Sequence, residues 1–323
     1  MTRIALCILV AVLMCSLSGA QQQPPSTSTA PQARRAVLVT GASTGIGRKT
    51  AEVLAANGFF VYACARKDAD LKALNAIENI QAIRLDVTKP DEIAAAVKTV
   101  RDGGRGLYGL INNAGVAVVG PLIELSDEDL AYQLDVNVHG PFRVTKAFAP
   151  LLIESKGRIA TTGSISGIVS GSFGGAYCMS KHAIEAYTDA LAEELEPFGV
   201  QVSVVEPGSY QSEIGIGVRQ RLVAGGYGGE GSRYKEQIQQ LLAMPADRAD
   251  EKEPNEVAQA FLHALSDEKP KRRYMVVPNQ EEAEITIKAA IRRAVQLNAE
   301  QPYSYDREGM IKLLDEAMSK VAK

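Results

Sequence analysis

The sequence predicts an α/β protein: a single doubly wound parallel sheet with helices on both faces and a helical C-terminal extension. Two observations predict it. From Ala36 onward, short apolar runs alternate with stretches of helical period, the pattern of successive strand–helix units whose strands are covered on both sides. The first apolar run, Ala36-Val37-Leu38-Val39, then passes straight into Thr40-Gly41-Ala42-Ser43-Thr44-Gly45-Ile46-Gly47, a glycine-rich turn opening a helix.

Each element follows from local signals. The first helix runs through Asn57 and is ended by Gly58, and Phe59 to Ala65 reads as the second strand. Ala82 to Leu85 is the third, followed by a helix that Pro90 opens at its first turn, where a missing N–H costs nothing. Leu107 to Ile111 is the fourth strand. Ser126-Asp127-Glu128-Asp129 supplies an N-cap and early acids to a helix predicted to about Ser155. Gly157 to Thr162 gives strand five, ending at Ser164, and Gly175 to Leu195 is a helix rich in Ala, Leu and Glu. Val200 to Val205 and Tyr274 to Val277 are strands six and seven. The stretch Ser209 to Ala246 breaks the alternation; its glycine run, Gly225 to Gly231, reads as a lid or plain loop, because no strand precedes it and no Lys-Ser/Thr follows.

Composition narrows the class. The chain has 323 residues, 46% hydrophobic and 23% charged, with a formal net charge of −3 and no concentrated basic face, which excludes a disordered protein and argues against nucleic acid as a partner. The Lys269 to Arg273 run reads as a solvated turn into a strand. Cysteines and histidines are scattered, so neither a disulfide framework nor a metal site is expected. Residues 1–20 carry an apolar run at 4–17 followed by Ser18-Gly19-Ala20, the pattern of a signal peptide cleaved near Ala20 or, uncleaved, of a membrane anchor. Residues 21–34 form a polar Pro/Ser/Thr linker expected to be disordered, 35–279 the catalytic domain, and 280–323 the helical extension.

The chemistry concentrates in Ser164 to Lys181. Four residues apart on one helix, Tyr177 and Lys181 share a face, so the ammonium is expected to stabilise the phenolate and let Tyr177 exchange a proton near neutral pH. Ser164 can donate to an oxygen gaining negative charge. Gly41, Ser43, Thr44, Gly45, Ile46 and Gly47 would let a pyrophosphate approach the backbone at a helix N-terminus. At the end of the second strand Arg66 and Lys67 stand where an acid would hold a ribose 2′-hydroxyl, which selects NADP(H) over NAD(H).

In these motifs the chain resembles the short-chain dehydrogenase/reductase family, which has a Rossmann-type fold. The glycine turn matches its TGxxxGxG, Asn112-Asn113-Ala114-Gly115 its NNAG, and Tyr177 to Lys181 its YxxxK; Asn137 and Pro207-Gly208 supply its helix asparagine and PG turn. Within the family the chain is most similar to the hydroxysteroid and retinol dehydrogenase branch, through VYACAR, TTGSISG and AYCMSK. The resemblance implies a catalytic tetrad of Asn137, Ser164, Tyr177 and Lys181, in which Asn137 keeps a water that relays protons. It also implies cofactor contacts at Asp86 and Val87 (adenine), Asn113, Ala114 and Gly115 (floor), Tyr177 and Lys181, and Pro207, Gly208 and Ser212 (nicotinamide). Ser212 stands where the family commonly has Thr. Substrate-lining residues are expected at Ile168, Val169 and Phe173 and within Ser209 to Ala246. The expected activity is NADP(H)-dependent interconversion of a small apolar alcohol and its ketone; an acyl-thioester ketoreductase and a non-catalytic nucleotide-sensing protein are the alternatives. The family also implies a homo-oligomer paired through the helices at Ser126 to Ser155 and Gly175 to Leu195. An anchor at 4–17 would make the enzyme membrane-associated, and cleavage would export it.

Overall fold

The computed structural model describes residues 34–321; the expected leader at 1–20 and all but the last residue of the expected linker lie outside the described residues. Seven parallel strands form one sheet: β1 (Ala36–Val39), β2 (Phe60–Ala65), β3 (Ile80–Arg84), β4 (Gly109–Asn112), β5 (Arg158–Thr162), β6 (Gln201–Pro207) and β7 (Arg273–Val276). Their spatial order is β3-β2-β1-β4-β5-β6-β7. Strand β1 therefore pairs with β2 on one side and β4 on the other, and the winding reverses at that point. In an open α/β sheet the crevice at such a reversal, beyond the strands' C-terminal ends, is where ligands bind.

Successive strand residues face opposite layers. Leu38, Tyr62 and Leu110 pack with Ile93 and Val100 of α3 (Pro90–Asp102) and with Val144 and Phe148, whereas Val37, Val39 and Ile111 pack with Leu54 of α1 (Gly45–Ala56) and Val257 and Phe261. Between β2 and β3 lies α2 (Asp68–Asn75), and α9 (Asn255–Ser266) precedes β7. The catalytic-motif helix, α6, spans Gly175–Leu195 as its composition predicts.

The helix predicted from Ser126 begins as expected, with the Ser126 side chain accepting from the Asp129 N–H at 3.2 Å. Its course is not uniform. After α4 (Asp127–Leu134) comes a π-helical turn, Asp135–His139, and only then α5 (Gly140–Glu154). Pro141 explains the interruption: it has no N–H to give the carbonyl of Asn137, and its ring would strike that carbonyl in a regular turn. Ser209 to Ala246, which departs from the strand–helix alternation, holds α7 (Ile214–Ala224) and α8 (Lys235–Ala243). The extension consists of α10 (Gln280–Asn298) and α11 (Arg307–Val321). Among the described residues no helix is long and apolar enough to cross a membrane.

Candidate active site

The first strand-to-helix turn is a cradle that side chains would destroy. Gly41 and Gly45 take φ of +65° and +54°, and a Cβ on Gly41 would lie 2.8 Å from the Ala114 Cα. A Cβ on Gly47 would overlap the Gly41 carbonyl oxygen and the Asn113 amide nitrogen. Thr44 caps α1 without a side-chain hydrogen bond, which leaves the first-turn N–H groups directed at the crevice. Asn113 stitches this turn to the next strand: its Nδ2 donates to the carbonyls of Thr40 (3.1 Å) and Gly41 (3.0 Å), and its Oδ1 accepts from Thr162 Oγ1 at 3.1 Å. The Thr40 hydroxyl in turn accepts the N–H groups of Asn113 (2.9 Å) and Ala114 (3.0 Å). Backbone brought this close, with free N–H groups at a helix start, fits a dinucleotide's pyrophosphate.

Above the cradle opens a cavity of about 940 Å³. It brings together every residue that the motifs single out: Asn137, Ser164, Tyr177 and Lys181; Gly41, Ser43, Thr44, Gly45, Ile46 and Gly47; Arg66, Asp86 and Val87; Asn113, Ala114 and Gly115; Pro207, Gly208 and Ser212. The end of the cavity beside β2 holds both signs of charge. Arg66 and Lys67 line it as expected, with Arg66 3.9 Å from Asp86, but Asp70 at the start of α2 lines it too. The sequence around the second strand's end gives no hint that an acid one helical turn on would reach the same wall.

Two expectations need correction, and one choice between alternatives is resolved. Ile168, Val169 and Phe173 do not line the cavity. After Ser164 the chain makes a 3-10 turn, Ile165–Gly167, and leaves the crevice; Phe173 packs edge-on against Tyr234, with ring centroids 5.6 Å apart. The apolar wall comes instead from Val119, Ile165, Val218, Leu222, Leu241 and Met244, several of them within the expected Ser209 to Ala246 stretch. The glycine run also lies away from the cavity, as the connection between α7 and α8. Tyr227 within it donates to Asp129 Oδ2 at 2.6 Å, so α4 anchors it, and of the two expected readings it is the plain loop.

The second correction concerns ionisation. Burial pushes the Tyr177 phenol above its ordinary value; hydrogen bonding with Ser164 and the charge of Arg248 pull it back only in part. Arg248, whose charge pulls the phenol down, is a cavity residue that the motifs do not disclose. Lys181 Nζ donates to the Thr162 carbonyl at 2.7 Å and sits 5.7 Å from the Tyr177 ring centre. Burial also lowers the Lys181 pKa, to about 8, against the charge of Glu185 that raises it. The sequence places the two side chains on one face but cannot show how strongly burial opposes both charges.

Asn137 sits in the π-turn, 2% exposed. Its Oδ1 accepts from the Val116 N–H at 2.8 Å, while its Nδ2 donates to the Val116 carbonyl at 2.9 Å and to Ser180 Oγ at 3.1 Å. Both side-chain donors are engaged with protein atoms, and the oxygen keeps one lone pair. Gln133 joins the network through Ser180 Oγ (3.2 Å), Val116 O (3.1 Å) and Val118 N (2.6 Å). Gln133 and Ser180 carry no motif signal; only folding brings them beside Asn137.

The short chain dehydrogenase family model matches residues 35–222, more than half of the chain. This chain belongs to the short-chain dehydrogenase family. Among curated relatives it is 36% identical over 200 residues to the mitochondrial D-beta-hydroxybutyrate dehydrogenase of Mus musculus, covering 59% of this chain and 58% of the relative. It is 39% identical over 183 residues to retinol dehydrogenase 5 of Mus musculus, covering 55% and 57%. The match thus spans under two thirds of those relatives' length. A short-chain dehydrogenase structure from Streptomyces avermitilis aligns with TM-score 0.66 and 28% identity over 83% of this chain and 95% of the other. One from Burkholderia cenocepacia J2315, in complex with NADP, aligns with TM-score 0.60 and 25% identity over 83% and 98%. As a short-chain dehydrogenase the chain departs from a bare fold match in holding the four tetrad residues within one cavity.

Proposed function

We propose that this chain is an NADP(H)-dependent oxidoreductase that interconverts an apolar secondary alcohol and its ketone. The observation that carries the reading is Ser164, Tyr177 and Lys181 opening into the same cavity as the glycine cradle. NADP(H), when bound, supplies the two-electron exchange with the carbinol carbon. The chain's residues supply everything else. A phenol held above its ordinary pKa stays protonated at neutral pH, which suits Tyr177 to give a proton to a carbonyl oxygen and favours ketone reduction. Ser164 donates to the same oxygen as it gains charge. Lys181 would hold the nicotinamide ribose, and Asn137 would keep the water that returns the proton.

Arg66 and Lys67 support a 2′-phosphate, and the neighbour crystallised with NADP supports the same cofactor. Relatives named for D-beta-hydroxybutyrate and retinol support a hydroxyl substrate, and the apolar wall supports an apolar one. Membrane association through residues 4–17 rests on the sequence alone. The test is NADPH oxidation by the purified protein against a panel of steroid, retinoid and aryl ketones. Tyr177→Phe should lose at least about a hundredfold in turnover; equal turnover would remove Tyr177 from its assigned role.

A further inference from the structure

Helix α10, the first of the C-terminal extension, meets the active site at two places. Near its start, Glu282 Oε2 accepts the backbone N–H of Ser209 at 2.9 Å. Glu282 is three residues past the N-cap Asn279, whose Oδ1 accepts the Glu282 N–H at 2.9 Å. A glutamate at that position ordinarily turns back on its own helix start. Here one carboxylate oxygen stays 3.4 Å from Asn279 Nδ2 while the other crosses to the Pro207-Gly208-Ser209 turn. A Cβ on Gly208 would overlap that crossing oxygen, so any side chain there would push the Glu282 carboxylate off the turn. The same turn receives the Ser164 hydroxyl, which donates to the Pro207 carbonyl at 3.4 Å.

Farther along, Arg293 Nη2 donates to the Ile168 carbonyl at 3.0 Å and lies 3.2 Å from His182 Nε2. His182 Nδ1 faces the Cys178 carbonyl at 2.9 Å, so Nδ1 carries the proton and Nε2 accepts from Arg293. Ile168 closes the turn that begins at Ser164, and His182 adjoins Lys181. Glu282, Thr286, Ala289 and Arg293 recur at the spacing of one helical face, and Thr286 on that face is fully buried. Glu282 and Arg293 are separated along the axis by about 16 Å.

We propose that α10 is a clamp on the active site, in which Glu282 and Arg293 act as positioning residues that hold the Pro207–Ser209 turn and the segment after Ser164 at a fixed separation. Glu282 sets the turn that flanks the nicotinamide; Arg293 sets the far side of the turn carrying Ser164. The clamp rests on the oxidoreductase reading for its consequence but not for its geometry.

The experiment measures NADPH affinity by fluorescence titration and amide hydrogen exchange at Ser209 in the full chain and its variants. Glu282→Ala should weaken NADPH binding about tenfold and speed Ser209 exchange about tenfold, as loss of a charged acceptor implies. Glu282→Gln keeps an oxygen acceptor and should restore both to within about threefold of the unmodified chain. Glu284→Ala, an exposed site paired with Lys288 on the same helix, should change neither. Gly208→Ala, by displacing the carboxylate, should weaken binding about as much as Glu282→Ala and add little in the Glu282→Ala background, where the added methyl meets no oxygen. Unchanged Ser209 exchange in Glu282→Ala, failure of Gln to rescue, or additive effects of the Gly208 and Glu282 changes would each overturn the clamp. Because exchange needs no turnover, a chain that reduces no ketone would sink the oxidoreductase reading while leaving the clamp measurable.

Discussion

Lys181 is the residue whose environment most constrains its chemistry. It is 7% exposed, faces Tyr177 and Glu185 on its own helix and the Thr162 carbonyl on β5, and its pKa is lowered to about 8 because burial outweighs the help of Glu185. A lysine titrating lower in the folded chain than in the unfolded one costs stability while both forms are compared below pH 8. Between about 8 and 10.5 the unfolded chain holds more protons on this residue, so that cost disappears as pH rises. Urea unfolding of the unmodified chain and Lys181→Met should therefore diverge in favour of lysine across that window, by no more than about 3 kcal/mol. A difference that is flat from pH 7.5 to 10.5, a range set by that titration, would show that Lys181 is not desolvated as described.

At the scale of elements, the π-turn decides how the site is assembled. Pro141 forces the helix from Ser126 to widen at Asp135–His139, and the widened turn carries Asn137 to Val116 after β4 and to Ser180 on α6. Ser180 Oγ donates to the Tyr177 carbonyl at 2.7 Å and accepts from both Asn137 and Gln133, so three elements meet on one hydroxyl. Ser180→Ala leaves two buried amide donors without that acceptor and should cost about 1–3 kcal/mol in chemical denaturation. A change under about 0.5 kcal/mol would show that water or rotation satisfies both donors instead.

At the scale of the whole molecule, helix α6 joins the site to a buried acidic cluster. Arg273, the first residue of β7, forms ion pairs with Glu185 and Asp189 and reaches Glu206 Oε1 at 3.2 Å; Glu206 is 2% exposed. Burial and the charge of Glu206 push Glu185 well above the usual carboxylate range. The Lys269 to Arg273 run is thus the solvated turn into a strand that the sequence predicts, and its last guanidinium, 39% exposed, is set against all three acids. The homo-oligomer that we expect would pair through α4–α5 and α6, where Phe142 and Met179 are 52% and 47% exposed. Phe142→Glu should reduce the sedimenting mass to that of one chain; an oligomer of unchanged mass would place the contact elsewhere.

Strand positions and the extent of α6 are legible in the sequence because periodicity and the glycine, proline and N-cap signals act within a few residues. The tetrad and the cradle are legible because their residue types recur at spacings that one turn or one helix face imposes. The sequence by itself thus determined the sheet, the glycine turn and which residues meet in one cavity. Only the tertiary structure decided that Ile168, Val169 and Phe173 turn away from the cavity, that burial holds the Tyr177 phenol up and brings Arg248 near it, and that Glu282 reaches Ser209 across 73 positions of chain. Each depends on groups distant in sequence meeting in space, and on how far burial outweighs charge where they meet.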